Sequence, residues 1–329
     1  MNRENNFDLL RICMAFYVVL LHTSASYWNT YLNFSKNFII MSGLNFLTRC
    51  SVPVFFMISG YFMFKRELSI SKILKSAARI YILYIVFTIL FAIKNLNGDY
   101  TINNFIECVI NGYYHLWFLK NLAWAYLFIP IYKSVIEYKD GYYVKYVILL
   151  FLVFGILKYN IQNILPLFKF DRLIKLFNDF SLYYYLDTPS YLFLGYYLGK
   201  IKVNTSSFLL FFIYFIISII GIALESISLI HLGEVKGIIF DNFGILIFLQ
   251  SILIFLAFKN LNINKNLNSI SNLALGVYLF HPIFLEKLSV IFNFSNLFIQ
   301  IIFLASTTFI LTGLFVYVIR FIPFLKKYL

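Results

Sequence analysis

The sequence predicts an all-α, polytopic transmembrane bundle of about ten spans, folded as a single domain over residues 1–329 with both termini in the cytoplasm. Three observations carry that reading. Of 329 residues, 61% are hydrophobic and only 12% are charged, against a charged share of roughly 25% in soluble domains. Apolar runs recur from one end of the chain to the other on the scale of the ~20 residues that cross a bilayer. Basic residues fall between those runs at regular intervals.

Taken in order, the expected spans are 7–28, 38–64, 77–95, 115–136, 144–161, 183–200, 207–225, 237–258, 269–289 and 297–322. The first has no small-residue cleavage site and is read as a retained anchor rather than a removable signal. Basic residues punctuate the series at Arg3, in "KRELSISKILKSAAR" (65–79), at Lys133, Lys139 and Lys145, at Lys200 and Lys202, at Lys259 and Lys265, and at Lys326 and Lys327. The positive-inside rule places these, with both termini, on the cytoplasmic face. The intervening loops 95–104 and 165–181 then face outward. Leu173, Leu176, Phe177 and Phe180 fall at helical spacing in the second of these and predict a short interfacial helix.

Several function classes drop out. The net charge of +13 comes from lysines and arginines between spans, where they orient the chain against the inner leaflet, so nucleic acid is not an expected partner. Cys13, Cys50 and Cys108 stand singly, with no disulfide framework and no zinc spacing. No Gly-rich phosphate loop, nucleophile elbow or metal-binding set is present. Transporters often carry inverted repeats, and none is evident here.

The informative residues are the polar ones inside apolar runs. "FDLLRICMAFYVVLLHT" (7–23) holds Asp8, Arg11 and His22. Eleven positions separate Arg11 from His22, about three turns and a rise of about 16 Å, so both lie on one helix face. Arg11 falls near the cytoplasmic side and His22 in the outer half. A charge near the bilayer centre costs roughly 3 kcal/mol even on the lenient insertion scale, so such residues face a bundle interior or a cavity. Snorkelling of Arg11 and a simple interhelical hydrogen bond at His22 are the bland alternatives. Three further stretches weigh against them. "RCSVPVFFMISGYFMF" (49–64) has an intramembrane Arg49, a Pro53 that loosens the backbone and a Ser-Gly pair that permits close helix approach. "YYHLWFL" (113–119) sets His115 and Trp117 at the outer boundary, and "LGVYLFHPIF" (275–284) places His281 before a kinking Pro282. His231, by contrast, reads as an outward loop residue without a role.

With these residues in view, the chain resembles the integral-membrane acyltransferase family 3, the bacterial O-acyltransferases that modify cell-surface glycans and related molecules. The resemblance rests on "FDLLRICMAFYVVLLH" with its Arg-x10-His spacing, on "RCSVPVFFMISGYFMF", on "HLWFLKNL" and on "LGVYLFHPIF", and it runs through essentially the whole chain. It implies ten spans in the cell (plasma or inner) membrane and acetyl-CoA or another acyl-CoA as a cytoplasmic donor. It also implies an acceptor presented in or across the membrane, a surface polysaccharide or its lipid-linked precursor, and no permanently bound cofactor. Arg11 and His22 match the first-helix pair regarded as essential in that family. Longer members carry an added esterase-like domain, and the expectation here is a stand-alone enzyme.

Acyl transfer from a thioester to a hydroxyl needs a base for the hydroxyl proton and donors for an oxyanion. Histidine suits the first task, which makes His22 the candidate general base. Arg49, His115, Trp117 and His281 are candidate acceptor-site residues. Asp8 lies too far from His22 to orient it. Its natural partner is Arg11, and the pair is a candidate cytoplasmic gate or donor-binding feature. Arg11, Arg49 and the 65–79 segment, Arg79 included, are candidates for the phosphates of coenzyme A, which guanidinium groups bind in bidentate fashion. A transporter or flippase for a lipid-linked sugar or small acid, using the same polar stripe as its pathway, is the competing reading.

Overall fold

The computed structural model describes residues 4–30, 33–67, 69–96, 101–164, 189–232 and 241–328. No strand occurs among the described residues. A helix suits hydrocarbon because each of its backbone amides finds its partner within its own segment.

The helices are α1 (Asn5–Ala25), α2 (Lys36–Thr48), α3 (Ser51–Phe64), α4 (Ile70–Asn95), α5 (Ile102–Asn111), α6 (Trp117–Leu127), α7 (Ile129–Glu137), α8 (Tyr142–Leu150), α9 (Lys158–Ile164), α10 (Ser190–Lys200), α11 (Ser207–Leu232), α12 (Ile245–Lys259), α13 (Asn268–Ser271), α14 (Ala274–Ile291), α15 (Leu297–Ile319) and α16 (Pro323–Tyr328). A π-helical stretch, Phe151–Leu157, joins α8 to α9. Among the described residues, seven segments are long and apolar enough to cross a membrane: Asn5–Ala25, Lys36–Phe64, Ile70–Asn95, Tyr142–Ile161, Ser207–His231, Ala274–Ile291 and Leu297–Ile319. The protein is thus a multi-pass membrane protein. Helix length and apolarity reach seven spans, short of the ten expected. The other expected spans fall on α10 and α12, which are shorter, and on α6 and α7, which part at Phe128 beside Pro130.

Three sequence expectations change. The basic segment 65–79 is not a loop for most of its length, because α4 begins at Ile70 and carries Lys72, Lys75 and Arg79 as helical residues. Ile73, Ala77, Ile80 and Leu83 supply the buried face that draws those turns into the helix. Residues 102–104, read as part of a loop, belong to α5, an amphipathic helix that buries none of its side chains. His231 stands in the last turn of α11 rather than in a loop. The interfacial helix expected around 173–180 lies outside the described residues.

Helix α1 runs through the middle of the bundle, against α2, α3, α14 and α15. On this helix Asp8, Ala15, Val18 and Val19 are all buried. Lipid tails are as apolar as leucine, so helix association here rests on close packing rather than on the hydrophobic effect. The tightest seam joins α3 to α10. A Cβ on Gly60 would stand 2.1 Å from the Leu192 carbonyl oxygen, and one on Gly195 would stand 2.1 Å from that of Met57. The two backbones touch reciprocally, and neither position has room for a side chain.

Candidate active site

The site starts with two prolines. Pro53 has no N–H to give the carbonyl of Arg49, four residues earlier, and the α2–α3 rod breaks at Arg49 and Cys50. The helix resumes with the bond from Val54 N to Cys50 O at 3.0 Å. The break places Arg49 on a cavity instead of in a continuous helical surface. Pro282 does the same for α14. It leaves the Tyr278 carbonyl without its ordinary helical donor, and the His281 ring takes the vacancy, with Nδ1 2.8 Å from that oxygen and 3.2 Å from the Val277 carbonyl. A carbonyl oxygen only accepts, so Nδ1 carries the hydrogen and Nε2 of the neutral ring is a bare acceptor. Nε2 is buried and makes no hydrogen bond.

Three histidines from three parts of the chain meet beside it. His22 of α1 stacks against His281 with ring centroids 5.2 Å apart at 20°. His115, in the turn before α6, meets His281 edge-on at 5.4 Å and lies 6.4 Å from His22. The Tyr278 hydroxyl donates to the backbone carbonyl of His115 and ties that turn to α14. His22, Arg49, His115 and Trp117 line one cavity of about 440 Å³, together with Tyr114, Phe118, Tyr278, Asp241 and Asn242. His281 is fully buried behind this lining and touches it through His22. The volume suits a small-molecule site, commonly 300–1,000 Å³.

Arg49 has an acidic neighbour in the cavity, Asp241, near enough for its charge to act on the guanidinium. Asp241 is held by a bond from the Phe243 amide to its own carboxylate at 2.9 Å. The Tyr191 hydroxyl donates to the adjacent Asn242 carbonyl at 2.5 Å. Asp241 and Asn242 were missed in the sequence reading, and Tyr114 and Tyr278 with them. For Asp241 a signal was available: an acid inside the segment read as the span 237–258 marks a functional position by default.

The opposite end of α1 is built differently. The Asp8 carboxylate is 1% exposed and accepts from Arg11 at 2.8 Å and from the Ser271 hydroxyl at 2.9 Å. The Arg11 guanidinium covers the Phe62 ring at 4.6 Å. Nearby, Glu4 pairs with Lys65 at 2.9 Å and receives the Tyr61 hydroxyl. Arg11, Arg66 and Arg79 all stand close enough to Tyr126 for their charges to act on its hydroxyl, and Arg320 in turn acts on Arg79. Arg79 also donates to the Tyr328 carbonyl at 2.7 Å.

The predicted residues therefore divide into two groups. His22, Arg49, His115 and Trp117 share the cavity, with His281 against it. Arg11 and Arg79 share the basic end with Arg66 and Arg320, which the sequence reading did not name individually. Arg49 was a candidate both for the acceptor site with His115, Trp117 and His281 and for the donor phosphates with Arg11 and Arg79; it lies with the first set, on the cavity with His22. Among the described residues no cluster of three or more His, Cys, Asp or Glu side chains suits a metal ion.

The chain is 26% identical over 296 residues to an amino-acid racemase of Enterococcus faecalis, an alignment covering 86% of this chain and 41% of that protein. It thus spans about two fifths of the length of the curated relative it matches. No solved structure matches. A family described as an acyltransferase domain matches residues 4–319, nearly the whole sequence. The chain belongs to this acyltransferase family.

Proposed function

We propose that the protein is an acyl-CoA-dependent O-acyltransferase that moves an acyl group, acetyl by preference, onto a hydroxyl of a cell-surface polysaccharide or its lipid-linked precursor. The observation that carries this reading is the convergence of His22 and His115 with Arg49 on one cavity, with His281 stacked behind His22. His22 takes the proton of the acceptor hydroxyl as the new C–O bond forms and the thioester C–S bond breaks. The proton then passes to the departing coenzyme A thiolate. Arg49 and the single ring N–H of a neutral His115 stand on the same cavity as donors for the acyl oxygen or the acceptor, and Trp117 offers an aromatic face to a sugar ring. In this account Arg49 acts at the acceptor end and not on the donor phosphates.

The donor belongs to the basic end. Arg11, Arg66, Arg79 and Arg320 bring four guanidinium groups toward one region, the arrangement that grips phosphates. The multi-pass fold and its basic residues support placing this end in the cytoplasm, where acyl-CoA is made. Racemisation is not carried over from the relative, because the alignment covers 41% of that protein.

The test is purified protein in nanodiscs supplied with acetyl-CoA, followed by release of free thiol. Turnover that depends on the protein is the expected result. A folded protein that neither binds acetyl-CoA at millimolar concentration nor releases thiol favours the transporter reading instead.

A further inference from the structure

We infer that Glu286 is a positioning residue for the histidine cavity, clamping the segment that brings Tyr114 and His115 to His22. This rests on the reading of that cavity as the site of chemistry.

The segment 113–116 links α5 to α6 and enters from Gly112, whose φ of +67° is a conformation that L side chains rarely adopt. Its ring contacts point into the site. Tyr114 meets the His22 ring at 4.8 Å, and His115 reaches both His22 and His281. Two fastenings hold it. One is inside, from the Tyr278 hydroxyl to the His115 carbonyl. The other is at the rim and converges on one carboxylate. Tyr113 donates its hydroxyl to Glu286 Oε1 at 2.5 Å, and the Lys94 ammonium pairs with Oε2. Tyr113 also stacks on Phe91 at 4.1 Å and 8°, one turn before Lys94 on α4. Glu286 therefore joins α4, α14 and the linker, three elements that are remote in sequence. Burial, and after it the bond to Glu286, raises the Tyr113 phenol above its ordinary range, so it remains a donor at neutral pH.

The arrangement differs from an ordinary surface ion pair. Lys94 and Glu286 are 34% and 45% exposed, and an exposed pair alone contributes little. What Glu286 adds is a charge-assisted bond to the residue next to Tyr114, and bonds of that kind contribute about 1.5–3 kcal/mol, equivalent to about 10- to 100-fold in an equilibrium. Loss of the clamp frees the rim of the cavity without touching its floor.

The experiment measures how fast diethylpyrocarbonate modifies His22 in the full chain in nanodiscs, read by mass spectrometry of the His22 peptide. Glu286→Ala and Tyr113→Phe are each expected to raise that rate about tenfold or more. The double variant should go no further than Glu286→Ala alone, because that substitution already removes the bond that Tyr113→Phe removes. Glu286→Gln keeps an acceptor for Tyr113 and should restore most of the protection. Cys50, which is fully buried, serves as the control for global opening. If its thiol becomes reactive in Glu286→Ala, the comparison of Tyr113→Phe with Glu286→Gln, both close in volume to the native residue, decides the matter. Unchanged His22 labelling in Tyr113→Phe, or additive effects in the double variant, would overturn the clamp. The labelling needs no substrate, so it is separate from the activity. Thiol release undiminished in His22→Ala would sink the proposed chemistry and leave the clamp standing.

Discussion

The two ends of α1 hold the same kinds of residue to opposite purposes. At the Arg11 end, Asp8 has two donors, Arg11 has a carboxylate and an aromatic face, and Glu4 has both Lys65 and Tyr61. At the His22 end, the rings of His281 and His115 keep buried nitrogens without hydrogen bonds beside an open cavity. A buried polar group left unmade costs about 1–3 kcal/mol. The first end is closed on itself, whereas the second opens onto a cavity of about 440 Å³, the place the proposed function gives to the acceptor. The difference teaches that an intramembrane charge is not by itself a site. Unmet hydrogen-bonding capacity alone does not mark one either, since Glu225, Thr308 and Thr312 also keep buried oxygens without partners; what distinguishes the His22 end is that its unpaired nitrogens stand at an open cavity.

Substitutions sharpen that contrast. The largest effect on the bundle is expected outside both ends, at the α3–α10 seam. Gly60→Leu must displace the Leu192 backbone, so folded yield should collapse, measured as monodisperse protein after detergent extraction. Next comes the satisfied end. Asp8→Ala removes a buried carboxylate from Arg11 and Ser271 and should cost about 3 kcal/mol, read as a fall in thermal stability. Stability unchanged in that variant would erase the distinction between the ends. His281→Gln should be milder for the fold than Asp8→Ala, yet it removes the ring stacked on His22 and should lower turnover more than tenfold at equal folded protein. The smallest effect belongs to His231→Ala. That residue is exposed at the end of α11 and lines neither site, so activity and stability should both stay at wild-type values.

Much of this layout was legible in the sequence because hydrocarbon makes polar residues conspicuous. Asp8, Arg11, His22, Arg49 and His281 stand out in apolar runs, and the prolines at 53 and 282 announce where a helix gives up a hydrogen bond. The partners were not legible. Arg49 was placed in two groups, with His115, Trp117 and His281 as an acceptor-site candidate and with Arg11 and Arg79 as a basic candidate for the donor phosphates, because sequence alone does not separate them. Its true company follows from the break at Cys50 and from the path of the 241–242 segment, which only tertiary packing sets. The start of α4 was misplaced because Lys72, Lys75 and Arg79 mask an apolar face at Ile73, Ala77 and Ile80 whose helical spacing is evident once charge is set aside. The Glu286 clamp joins residues 173 and 192 positions apart, and no local pattern reports such a meeting.

The central claim is that the His22 end performs the chemistry while the Arg11 end holds the donor, and one paired measurement tests it directly. Acetyl-CoA affinity and thiol release are measured on wild type, His22→Ala and Arg79→Ala at equal folded protein in nanodiscs. The account predicts that His22→Ala binds acetyl-CoA within about twofold of wild type and releases thiol about 10²- to 10⁴-fold more slowly, the usual cost of a lost general base. Arg79→Ala should weaken binding first. A His22→Ala variant that keeps more than about a tenth of wild-type turnover, or that loses affinity in step with turnover, would contradict the division between the two ends.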